Sequence, residues 1–229
     1  EEDARAITQI CGGLALNIGT LNTRTVATMH AAGAVAGKLG HPIVLDPVGA
    51  GASPLRTQTA ASLADELPLA VVRGNMSEIK ALAGAAAATR GVDANPADAV
   101  TPANLAESAS FARELAQKLG CVVAVTGAID LVADATRALA IHNGHPLMGR
   151  ITGTGCMLTC ITAAYATANP ARPLEAAAAA IAGWGIAGEV AAGRMGALDG
   201  NGSFRTYLLD AICNMSADQL MAGAKIEEL

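Results

Sequence analysis

Short apolar runs alternate along the chain with longer segments in which apolar positions recur at three- and four-residue steps. GLALNI (13–18), PIVL (42–45), LAVV (69–72) and CVVAV (121–125) are dominated by apolar residues on both alternating sets of positions, as strands covered on both faces are. Between them the spacing predicts helices over Thr23–Leu39, closed by Gly40, over Thr57–Glu66 and over Ser77–Ala83. Thr101-Pro102 predicts a further helix start, a capping hydroxyl followed by proline at the first helical position, with Phe111, Leu115 and Leu119 on its buried face. Ile129–Ala133 and Ala138–His142 follow one another closely and predict a hairpin along the sheet edge. From Gly155 onwards the pattern is nearly all helix, and the Ala- and Gly-rich run Ala176–Val190 predicts a buried core helix. Strands separated by helices in this way predict an α/β fold with a mainly parallel sheet, as a single domain over residues 1–229.

Composition narrows the function classes. Of the 229 residues, 52% are hydrophobic and 15% charged, but only 2% are aromatic, so a site built on stacked rings is not expected. A net charge of −5, with 15 scattered basic residues, argues against a nucleic-acid partner. No uninterrupted stretch of strong hydrophobes predicts a membrane span. The five cysteines are odd in number and show no CxxC spacing, which points to reduced thiols in a cytoplasmic protein. Cys156 and Cys160 stand four apart, but without a nearby His or further Cys they do not form a zinc pattern. His30, His41, His142 and His145 likewise have no partner at ligand spacing; the last two are expected in a polar loop, with solvent exposure and a substrate contact both open.

In an open parallel sheet, ligands bind outside the carboxyl ends of the strands. The polar residues that follow the predicted strands are Asn17, Asp46, Arg73, Asn75 and Thr126. Further along, Ile151-Thr152-Gly153-Thr154-Gly155-Cys156 places two glycines at the opening of a helix. Free N–H groups and the positive dipole end there suit a phosphate. The loop has neither the GxxxxGK[ST] nor the GxGxxG pattern, so taken alone it is also an ordinary glycine loop. In Arg73-Gly74-Asn75-Met76-Ser77-Glu78, the carboxylate falls one turn after Asn75. That spacing suits Mg²⁺, and it equally suits a capping box. Asp46 and Thr126 carry the same double reading, as site residues or as turn residues.

Taken together and in order, LNIGTLN, LDPVGAGAS-x-x-RT, RGN-x-SE, VAVTG and GTGC resemble the hydroxyethylthiazole kinase family, a branch of the ribokinase-like enzymes, from Leu16 to Phe204. The resemblance implies a three-layer ribokinase-like fold and phosphorylation of 4-methyl-5-(2-hydroxyethyl)thiazole by ATP with Mg²⁺, in thiamine salvage. It implies that Arg73 and Thr126 contact ATP, that Gly153 lies at the thiazole alcohol, and that Asp46 and Glu78 lie near Mg²⁺. Cys156 stands where other ribokinase-like enzymes usually carry a catalytic aspartate. A homotrimer with shared thiazole pockets is implied, with Asn17 at the boundary between subunits. Family members also carry a further N-terminal segment of a few dozen residues, and this chain is expected to begin after it.

Whether Cys156 takes the alcohol proton or only positions the alcohol is left open. So are two other functions: an ATP- or ADP-dependent NAD(P)H-hydrate dehydratase of the same superfamily, and a non-enzymatic nucleotide or thiazole binder. The dehydratases usually place Asp where this chain has Cys156.

Overall fold

The computed structural model describes residues 2–84 and 98–229. Its strands form one seven-stranded sheet in which spatial order follows chain order. The first four run parallel: β1 (Leu14–Asn17), β2 (Ile43–Asp46), β3 (Val71–Asn75) and β4 (Val122–Thr126). β5 (Asp130–Ala133) and β6 (Ala138–Ile141) then turn back antiparallel, which is the expected hairpin. The sheet does not end there. β7 (Ile226–Glu228) pairs antiparallel with β6 and forms the edge. Its three residues, Ile-Glu-Glu, are all exposed, so no apolar alternation marks them in the sequence.

The alternation of strand side chains divides the core in two. Leu16, Leu45, Val72, Val123 and Leu131 point to one face. There they meet α2 (Thr23–Leu39), α3 (Pro54–Glu66), α4 (Met76–Leu82) and α5 (Leu105–Leu119) through Ala36, Leu63, Ile79 and Leu115. Val44, Val71, Val122, Ala124 and Val132 point to the other face. They pack on α6 (Thr154–Ala168), α7 (Pro173–Gly193) and α8 (Asn201–Cys213) through Leu158, Ile181, Trp184 and Phe204. The result is the three-layer α/β/α arrangement. α1 (Glu2–Ile10) lies against α2, and α9 (Ala217–Gly223) leads into β7.

Local chemistry sets the helix ends. Asn22 and Thr25 form a capping box at the start of α2, and Gly40 closes it at φ 69°. α3 begins earlier than the apolar spacing suggests, because Ser53 caps it and Pro54 occupies the first turn. α5 begins later than Thr101-Pro102 suggests. Asn104 Oδ1 accepts from the Thr101 N–H (2.7 Å) and its Nδ2 donates to the Ala99 carbonyl (3.0 Å), so this segment is a turn ahead of the helix. Phe111 and Leu119 pack at the margin of the α5 contact, while Ala112 and Leu115 fill its centre. α7 is long and apolar enough to cross a membrane by composition, but 72% of its apolar window is buried, as the core-helix reading requires.

Candidate active site

The carboxyl ends of β1 to β4 all face one side of the sheet, and register brings their polar residues together. Asn17 stands opposite Asp46, and Asn75 stands opposite Thr126. Asp46 is 1% exposed, so its carboxylate is enclosed by the protein. Its Oδ2 accepts from Asn17 Nδ2 (2.9 Å) and from the Thr159 hydroxyl (2.7 Å), and lies 3.6 Å from Arg73 Nη1. Its Oδ1 is buried with no partner. Burial raises the Asp46 pKa above the usual carboxylate range, against the pull of Arg73, Thr159 and Asn17.

Glu78 takes the capping role that its spacing allowed, and holds a second loop besides. It completes the capping box of α4, with Asn75 Oδ1 accepting from the Glu78 N–H and Glu78 Oε2 accepting from the Asn75 N–H (2.8 Å). Its Oε1 accepts from the Gly49 N–H (2.9 Å), which anchors the loop after β2. Burial again raises the pKa, the two N–H donors lower it, and the Asp46 charge adds to the rise. Two buried carboxylates thus share Arg73 as a nearby cation.

Arg73 is 8% exposed and reaches over to β4 to donate to the Thr126 hydroxyl, while its Nε is buried without a partner. The guanidinium lies against the start of α6. A Cβ on Gly155 would stand 2.8 Å from Arg73 Nη1, so this close approach requires glycine. Gly153 caps α6 at φ 93°, a left-handed conformation that also favours glycine. The first bond of the helix runs from the Met157 N–H to the Gly153 carbonyl (2.9 Å). The amides of Thr154, Gly155 and Cys156 therefore have no intrahelical acceptor, which is the arrangement that binds anions.

A cavity of about 500 Å³ opens in front of these groups. Arg73, Thr126, Gly127, Thr154 and Gly155 line it, as do the apolar Ile181, Trp184, Pro146 and Met148. His142, exposed as the polar loop predicts, and the half-buried His145 line it as well. Cys156 lies outside this lining, exposed on the first turn of α6 with a free thiol. A second cavity, of about 560 Å³, lies at the opposite ends of the strands around His41 and Pro42, and it brings together none of the predicted site residues.

The donor set fits Mg²⁺. Among the described residues no three His, Cys, Asp or Glu side chains stand together as a protein-only cage. Mg²⁺ does not ask for one, since it is commonly held by one or two carboxylates, water and substrate phosphates. The partnerless Oδ1 of Asp46 and the repulsion between the Asp46 and Glu78 charges match that requirement.

Two supporting residues were not singled out in the sequence. Thr159, besides meeting Asp46, lies 3.2 Å from the Gly155 carbonyl one turn back, and a four-residue step from Gly155 was its only signal. Arg56 stood inside the LDPVGAGAS-x-x-RT segment. It donates to the carbonyls of Ile18, Val48 and Gly19, each at 2.9 Å, and so ties the loops after β1 and β2 together.

Known proteins are similar to this chain over nearly all of its length. Residues 1–218 match the hydroxyethylthiazole kinase family. A hydroxyethylthiazole kinase of Clostridium acetobutylicum is 48% identical over 225 residues, covering 98% of this chain and 82% of the relative. One of Methanocella arvoryzae is 44% identical over 225 residues, covering 98% and 80%. Among solved structures, a hydroxyethylthiazole kinase of Pyrococcus horikoshii superposes with a TM-score of 0.86 at 34% identity, over 100% of this chain and 82% of that one. The ADP complex of a Staphylococcus aureus pyridoxal kinase shares the fold, with a TM-score of 0.61 at 18% identity over 100% and 76%. With two buried carboxylates, a buried arginine and a glycine-opened helix at its strand ends, this chain belongs to the hydroxyethylthiazole kinase family, in a ribokinase-like fold.

Proposed function

We propose that this chain transfers the γ-phosphoryl group of ATP to the hydroxyl of 4-methyl-5-(2-hydroxyethyl)thiazole, the kinase step of thiamine salvage. The observation that carries this reading is the convergence of Arg73, Thr126 and the free amides of α6 on one cavity beside the buried Asp46–Glu78 pair. The apolar lining residues Trp184, Ile181 and Pro146 suit the adenine ring, and Arg73, Thr126 and the α6 amides suit the triphosphate.

In the reaction the alcohol oxygen bonds to the γ-phosphorus, the bond to the ADP oxygen breaks, and the alcohol gives up its proton. Such a transfer asks chiefly for alignment and charge stabilisation. Arg73 offers a buried cation to the phosphates, and Thr126 orients it. The amides of Thr154, Gly155 and Cys156 stabilise charge on the group in flight. Asp46 and Glu78 are the residues that would hold Mg²⁺, which neutralises phosphate charge when bound. Gly153 lies at the alcohol, and Cys156 is assigned to hold the hydroxyl in line. In a loose transition state the proton leaves late, so a strong base is not required. Asn17 supports Asp46 from the β1 side and is assigned to the thiazole side of the site.

The reading extends to a cytoplasmic homotrimer with thiazole pockets shared between neighbours. Light scattering giving a mass three times that of the chain is the expected result, and a monomer would remove this part. Activity is tested by supplying ATP and Mg²⁺ with hydroxyethylthiazole or, separately, hydroxymethylpyrimidine. Phosphorylation of the thiazole is expected. Turnover with the pyrimidine alone, or repair of NADH hydrate without thiazole phosphate, would overturn the proposal.

A further inference from the structure

After β6, residues 142–146 form one wall of the cavity assigned to ATP. Asn143 is 5% exposed and its amide is fully engaged. Its Nδ2 donates to Glu189 Oε1 (3.2 Å) and to the Gly223 carbonyl (2.9 Å), and its Oδ1 accepts from the Lys225 N–H (2.8 Å). The same Glu189 oxygen also accepts from the Gly144 N–H (3.1 Å) and from Lys225 Nζ (3.0 Å). One carboxylate oxygen on α7 therefore gathers donors from the cavity wall and from the segment that enters β7.

Packing brings the wall and α7 into direct contact. A Cβ on Gly185 would stand 2.6 Å from the Asn143 Cβ, and one on Gly188 would stand 2.3 Å from Met148 Sδ. With those positions bare, the wall rests on the helix backbone, and its place along the helix is set by the Glu189 bonds. Glu189 does not line the cavity, so it acts through Asn143 and Gly144, which do.

We propose that Glu189 is a positioning residue for ATP, holding the 142–146 wall in its binding position and coupling it to Lys225 ahead of β7. This rests on the reading that the cavity holds ATP. ATP affinity is measured by titration calorimetry on the whole chain, alongside kcat and both Michaelis constants. Loss of a charge-assisted acceptor in Glu189→Ala is expected to weaken ATP binding about tenfold, with kcat at saturating ATP and KM for the thiazole within about twofold. Glu189→Gln keeps an oxygen for Asn143 and Gly144 and should restore ATP affinity to within about threefold of the wild type. Should Glu189→Ala not fold, Lys225→Met, which removes a half-exposed cation, decides the matter with an expected two- to threefold (roughly) loss of ATP affinity. Unchanged ATP affinity in these variants, or an equal decline in kcat and both Michaelis constants, overturns the proposal. A wild-type chain that binds no ATP would instead overturn the nucleotide reading, and this inference with it.

Discussion

The hydroxyl of Thr159 and the carboxylate of Asp46 meet at 2.7 Å across 113 residues of chain. This bond fastens α6, with its free amides, to the end of β2. Thr159→Val keeps the shape and removes the donor, leaving a buried carboxylate less supported. The expected outcome is a stability loss of ~1–2 kcal/mol, with a rise in the Mg²⁺ concentration needed for half-maximal rate. Denaturant melts and a Mg²⁺ titration of activity read the two effects, and an unchanged Mg²⁺ response would separate Thr159 from the metal site.

Asp46→Asn tests the carboxylate itself. Its Oδ2 position can still accept from Asn17 and Thr159, but the negative charge facing Arg73 is gone. A fall in kcat of about 10²–10³-fold is expected, the scale of losing one electrostatic element from a preorganised site. A kcat within a few-fold of the wild type would remove Asp46 from the metal assignment.

Gly155→Ala places a methyl group 2.8 Å from Arg73 Nη1, in a site where the guanidinium is almost wholly enclosed. The arginine must move away from the α6 terminus. ATP affinity should fall by about tenfold, equivalent to one lost charge-assisted bond. Calorimetry showing wild-type affinity would mean that Arg73 does not need this seat.

Cys156→Ala should lower kcat by about 10²-fold or less, with ATP affinity unchanged, because the thiol lies outside the cavity lining. Single-turnover kinetics isolate the chemical step. An unaltered rate there would exclude Cys156 from the mechanism.

Asp130, partly buried at the cavity and accepting from the Gly127 N–H at 2.8 Å, has its pKa pushed by burial from 3.8 up to about 7, against the pull of that N–H and of Arg73. Between those values the folded chain keeps a proton that the unfolded chain has released. The stability contributed by this group is therefore present at low pH and is lost as pH rises through about 7. Asp130→Asn cannot titrate, and should flatten that part of the Tm-against-pH curve. Parallel slopes for the two proteins would show that Asp130 titrates at its ordinary value.

Much of the fold could be read from periodicity. The four parallel strands are apolar on both faces because helices cover both, and α2 carries its own stop signal in Gly40. β7 escaped because pairing with β6, rather than any pattern of its own, makes it a strand. The start of α5 was misplaced because Asn104 outcompetes Thr101 through side-chain bonds to the backbone. At the site, Asp46, Arg73, Glu78 and Thr126 were visible as polar residues at strand ends or one turn beyond. Thr159, Arg56 and Glu189 were not, since each acts on a residue at least one element away in the chain.

The order of the strands has a consequence for how the chain folds. Each strand from β2 to β7 pairs with the one made just before it, so the sheet can grow by adding to an open edge during synthesis. Closure of the Asp46–Thr159 bond cannot happen until α6 has emerged, and α6 follows all of β1 to β6 in the chain. The Asp46 carboxylate thus precedes its α6 partner by 113 residues of synthesis, and the phosphate site is incomplete until that helix is in place.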